Sequence, residues 1–95
     1  MSEYQTMNYA DAFKPVGKKV NFENGWVHAH PVEEEHYREG TYKCTLYVEE
    51  RSNLTPLWAE VRKWLGKQNA EFTILIGKYK RGGTQPYCLA WEKGQ

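Results

Sequence analysis

Aspartate, cysteine and long apolar runs are all scarce in this chain. The only aspartate is Asp11, which argues against the clustered carboxylates of an aspartate-rich two-metal nuclease. Both cysteines, Cys44 and Cys88, sit in strand-like apolar runs, the usual setting of buried thiols. A disulfide between neighbouring strands is the lesser alternative in a reducing compartment. No apolar stretch approaches the length of a membrane span, and the opening "MSEYQTMNYADAF" has neither the basic head nor the apolar run of a signal peptide. These absences predict a soluble, cytoplasmic protein with no membrane partner. The formal net charge is only +1, so no global basic field argues for a polyanionic partner.

Catalytic and metal-binding signatures are thin as well. Ser2 and Ser52 lack the context of a nucleophile elbow. Gly82-Gly83 is followed by neither Lys-Ser, Lys-Thr nor a helical pattern, so it does not begin a phosphate loop. "HAHPVEEEH" puts His28 and His30 two apart, with Glu34 and His36 beyond, a spacing that partly resembles the first cupin motif. No histidine follows His36, so the second motif is missing, and solvated or edge-strand histidines are the default reading. The expectation is no enzyme, no metal and no cofactor.

What the chain does have is rings and an uneven charge distribution. Aromatic residues make up 15% of it, including seven tyrosines and four tryptophans. That exceeds what so small a core needs, so some rings should lie on the surface. Residues 31–60 hold most of the glutamates, while residues 61–82 hold Arg62, Lys63, Lys67, Lys78, Lys80 and Arg81 against Glu71 alone. "GKYKRGGTQPY", residues 77–87, concentrates the positive charge beside a tyrosine and a glycine pair. It reads either as a solvated hairpin tip or as a finger for a polyanion.

Ninety-five residues make one domain. Residues 1–16 show no periodicity and read as a flexible arm; residues 17–95 read as the domain. "KKVNFENGWVHAHPV" alternates about Asn24-Gly25, the strongest short-range hairpin signal. "EEEHYREG" is a charged loop, and "TYKCTLYVEE" is the clearest strand, with Tyr42, Cys44, Leu46 and Val48 on one face and Lys43, Thr45, Tyr47 and Glu49 on the other. Thr55 and Pro56 can start a helix carrying Leu57, Val61, Trp64 and Leu65 on one stripe, with Gly66 placed to stop it. In "EFTILIGKYK", Phe72, Ile74 and Ile76 share the core face while Thr73, Leu75, Gly77 and Tyr79 share the other; "PYCLAWEK" is the last strand. The order is β-β-β-α-β-β. It predicts a mostly β, five-stranded OB-like Greek-key barrel, with an α+β sheet and one packed helix as the alternative. Trp58 and Trp64 are assigned to the core, and Trp26 and Trp91 fit either core or platform.

The runs "KKVNFENGWVHAHPV" and "GTYKCTLYVEE", followed by the helix, resemble the opening of phage-type single-stranded DNA-binding proteins with an OB-fold, over residues 18–66. The resemblance implies binding of single-stranded DNA, or RNA, in phage replication or recombination, in a host cytoplasm if the protein is phage-encoded. It points to Trp26, Lys43 and Tyr47 and to Tyr79, Lys80 and Arg81 of the finger, with Lys78 beside them. The ending "WEKGQ" departs from the acidic tail through which bacterial relatives of such proteins recruit partners. The physics of single-strand binding asks independently for cations along the phosphates and rings under the bases. The other reading is a small protein-interaction domain, such as a phage-encoded inhibitor or assembly factor, using the aromatic surface and the acidic loop Glu33 to Glu39 against a protein partner. A homodimer fits either reading.

Overall fold

The computed structural model describes residues 19–32 and 40–94; the expected arm at residues 1–16 and the acidic loop lie outside the described residues. Five strands are seen among the described residues: β1 Lys19–Phe22, β2 Gly25–Pro31, β3 Tyr42–Tyr47, β4 Ala70–Phe72 and β5 Tyr87–Glu92. The helix α1, Leu54–Lys67, follows a 3-10 turn at Arg51–Asn53 and stands between β3 and β4. Every pairing is antiparallel, in the spatial order β1-β2-β3-β5-β4. Among the described residues the sheet is open: β1 and β4 are its edges, and it does not close into the expected barrel. Alternation within a strand fixes which side chains share a face, whereas closure depends on pairing between distant strands. No described helix is long and apolar enough to cross a membrane.

One face of the sheet is covered. Val27, Ala29, Cys44, Leu46, Cys88 and Ala90 on the three central strands are fully buried, as are Leu57, Val61 and Leu65 along one stripe of α1. Fully burying each of these leucines contributes roughly 1.5–3 kcal/mol. Trp64 meets Phe22 of β1 edge-on at 5.8 Å, and Trp58 meets Phe72 of β4 edge-on at 6.0 Å. Both tryptophans are half-buried, so α1 is fastened to both edge strands by rings at the margin of the core. Cys44 and Cys88 stand directly opposite each other across β3 and β5 and remain free thiols. A hydrogen bond with Cys88, burial and the neighbouring thiol's charge push the Cys44 thiol up, well above the ordinary range.

Three local expectations are corrected. The first hairpin turns at Glu23 and Asn24, because Gly25 already pairs with Phe22 as the first residue of β2. Glycine is required there by close approach: a β-carbon would fall on the Tyr47 carbonyl oxygen and 2.8 Å from Leu57 Cδ2. The helix begins at Leu54, so Thr55 lies inside its first turn and Asn53 is the flanking residue, without a side-chain cap. Gly66 does not stop it; Asn69 does, at φ 57°, just past Gln68, the left-handed position at which helices commonly end.

The third correction concerns "EFTILIGKYK". Thr73 N–H donates to Leu89 O, yet Ile76 exchanges both backbone bonds with Tyr87. Two residues on one side, Ile74 and Leu75, therefore oppose one on the other, Cys88, which makes a bulge. One extra residue inverts every later side chain. Ile74 is left 81% exposed, Ile76 pairs with Tyr87 outside β4, and Leu75 and Tyr79, expected on the outer face, pack against the core.

Candidate nucleic-acid interface

Alternation sends the remaining side chains of the strands to the side opposite α1. Trp26, His28 and His30 project there from β2, Lys43, Thr45 and Tyr47 from β3, and Tyr87, Leu89 and Trp91 from β5, as the register of cross-strand partners requires. Lys19 and Asn21 join them from β1, opposite His28 and Trp26, and Glu71 from β4, opposite Trp91. The single described helix lies on the other face.

The rings are organised along the neighbouring strands. Trp26 and Tyr47 are direct cross-strand partners, and their rings stack with centroids 5.3 Å apart and planes within 8°. Such pairs contribute beyond their buried area and hold each other upright. Lys19 Nζ stands over the Trp26 ring at 4.7 Å. Because Lys19 comes from β1 and Tyr47 from β3, Trp26 is occupied from both sides and the second face of Tyr47 is turned toward β5. There Lys43 Nζ stands over the Tyr87 ring at 4.4 Å. At the far end, Trp91 Nε1–H donates to Glu71 Oε1 at 3.0 Å, which fixes the indole against the edge strand.

The finger lies at the Trp26–Tyr47 end. Leu46 N–H donates to Pro86 O, and Tyr87 is bridged to Ile76, so residues 77–86 extend past the last sheet pairs toward the end of β3. A tight turn closes the tip, with Gly83 N–H donating to Lys80 O and Lys80 N–H to Thr84 O. Gly82 takes φ 72°, a conformation glycine adopts without strain. Lys78, Lys80 and Arg81 are exposed. Tyr79, expected on the outer face, is half-buried and packs against the core, and its carbonyl accepts a hydrogen bond from Arg51 Nη2 at 3.3 Å. Lys80 and Arg81 share a shallow hollow with Arg51 but also with Glu49 and Glu50, so carboxylates partly balance the tip's charge.

The seven residues singled out from the sequence thus divide. Trp26, Lys43 and Tyr47 stand together on the open face; Lys78, Lys80 and Arg81 stand at its end; Tyr79 belongs to the fold. Sequence reading passes over Lys19 and Tyr87 as partners of this surface and leaves Trp91 open between core and platform, although the alternation of "PYCLAWEK" carries the signal for the last two. It also keeps His28 and His30 apart from this surface. The described residues contain no group of three or more potential metal ligands, and His36 lies outside them. No family model matches the chain, and no curated protein or solved structure is significantly similar to it. The functional reading therefore rests on the chain's own residues.

Proposed function

We propose that the protein binds single-stranded nucleic acid across the face of the sheet opposite α1. The observation that carries this reading is the cross-strand arrangement of Lys19, Trp26, Tyr47, Lys43 and Tyr87, in which rings and cations alternate over four neighbouring strands. Cations follow phosphates, and bases stack on aromatic side chains at about 1–3 kcal/mol per base. An open sheet bearing aromatic residues is also how one common RNA-binding module presents bases with stacking surfaces. In this geometry a base extends the stack on the β5-facing side of Tyr47, Trp26 supports that ring from behind, and the finger cations meet the strand as it leaves the sheet. The reading does not need a closed barrel, only a solvated face. A role in phage replication or recombination is the setting that the sequence resemblance suggests for such binding.

The test is a fluorescence titration with labelled oligothymidine at low and moderate salt, beside a duplex of the same length. Tighter binding of the single strand, weakening with salt, is expected, because paired bases cannot reach the rings. Equal affinity for duplex and single strand would leave a nonspecific basic patch. No binding at low salt would overturn the reading in favour of a protein-interaction domain, for which the small net charge of +1 is the supporting feature.

A further inference from the structure

We infer that His28 and His30 belong to the interface and take up protons as a phosphodiester strand binds, so that affinity rises as pH falls. The inference deepens the nucleic-acid reading and rests on it. The two imidazoles stand two residues apart on the outward side of β2, both exposed, with ring centroids 6.0 Å apart. Lys19 on β1 and Thr45 on β3 flank His28, and Lys43 on β3 flanks His30. One strand further, β5 contributes Tyr87 and Leu89 opposite Thr45 and Lys43. The only carboxylate that the strands place on this face among the described residues is Glu71 on β4, where it accepts the Trp91 indole N–H.

The histidines therefore fill the gap between the two lysines on the face where a strand would lie. A phosphate drawn to Lys19 or Lys43 comes within reach of a neighbouring imidazole. Imidazolium is the better partner for it, since both ring nitrogens then donate and the bond is charge-assisted. Histidine changes charge between about pH 5 and 8, so bound and free protein hold different numbers of protons in that range, and linkage makes affinity depend on pH. Each proton passes from hydronium or a buffer acid to the lone pair of a ring nitrogen, forming one N–H bond as the donor's bond to hydrogen breaks; no bond between heavy atoms changes.

The test is the affinity for labelled oligothymidine at fixed ionic strength between pH 5.5 and 8.0, for the wild-type protein and for the double variant His28→Gln/His30→Gln. Wild-type affinity should rise by about tenfold or more from the alkaline to the acidic end, the ceiling being about tenfold per proton per pH unit. The double variant should show a flattened profile, with little gain in affinity between pH 8.0 and pH 5.5. Titration calorimetry in two buffers of different ionisation heat should show proton uptake by the wild type alone, and a circular dichroism melt of the variant at both pH limits separates lost linkage from lost fold. A pH-independent wild-type affinity, or a double variant that keeps the wild-type profile, overturns the inference and leaves the nucleic-acid reading standing. Absence of binding at every pH overturns both.

Discussion

Glu60, on the helix, holds Asn24, at the tip of the first hairpin, through one carboxylate oxygen: Oε1 accepts from the Asn24 backbone N–H at 3.1 Å and from its side-chain Nδ2 at 3.0 Å. The other oxygen accepts from Glu23 N–H at 3.1 Å, and Asn53 Nδ2 reaches Asn24 Oδ1 at 3.3 Å. A two-residue turn without left-handed asparagine is thereby held from outside the hairpin.

Glu60→Ala should lower the melting temperature by about 5 °C, the scale expected for losing charge-assisted hydrogen bonds in a domain of this size. Burial alone would raise the Glu60 carboxyl, but the hydrogen bonds from the Asn24 side chain and from the backbones of Asn24 and Glu23 outweigh it and hold the carboxyl below its ordinary range. A lowered carboxylate contributes stability that is present above its unfolded-state value and lost as pH falls through the folded one. Thermal melts from pH 7 down to pH 3 should therefore show the Glu60→Ala deficit shrinking on the acid side. A deficit that is constant with pH would contradict the assignment.

Lysines and rings of the interface should fail in different ways. Lys19→Ala with Lys43→Ala should flatten the plot of log affinity against log salt by about 0.7 for each phosphate of a single strand that is no longer neutralised. Tyr47→Ala should leave that slope nearly unchanged and cost about 1–3 kcal/mol of binding. Tyr79→Ala, by contrast, should lower thermal stability and spare the affinity of the folded fraction, since its ring packs against the core.

Gly25→Ala should destabilise the fold by about 1–3 kcal/mol, the usual cost of overpacking, because its methyl group would strike the Tyr47 carbonyl and Leu57. Chemical denaturation measures the loss. The same β-carbon presses on the backbone that carries the Tyr47 ring, so base stacking should weaken in parallel.

Ile74→Lys should be tolerated within about 0.5 kcal/mol, as is usual for surface positions. Leu65→Ala, in the buried stripe of α1, should cost about 2–5 kcal/mol. The pair of urea titrations is a direct measure of the bulge: an unbulged strand would bury Ile74 and reverse its tolerance.

Elements and their faces are legible wherever the determining interactions are local. The alternation from Lys43 to Tyr47 and the stripe Leu57, Val61, Leu65 are written in consecutive residues, and alternation alone places Lys43 and Tyr47 on a wet face, while Trp26 stays open between core and platform until its cross-strand partner is known. Neighbourhood is not legible. That Trp26 meets Tyr47, or that Lys43 crosses to Tyr87, follows from pairing between strands that are distant in the chain. The bulge after Thr73 leaves no mark in the period of "EFTILIGKYK"; it emerges only when Leu89 and Tyr87 are set opposite, which is why alternation puts Tyr79 on the wrong side. Asn69 outdoes Gly66 as the helix stop because the stripe packs on the core through Leu65, and the chain turns only after that packing is complete.

The facing thiols of Cys44 and Cys88 carry a practical consequence. Both are fully buried beneath α1, so neither sulfur meets a reagent while the helix is seated, and the Cys44 proton is held tightly besides. Alkylation can proceed only through openings that lift α1 from the sheet, and labelling kinetics followed by mass spectrometry become a clock for those excursions. A ligand on the opposite face cannot shield the sulfurs directly. Any slowing of the clock that it causes reads out how far stabilisation on one side of a sheet a single layer thick is transmitted to the other.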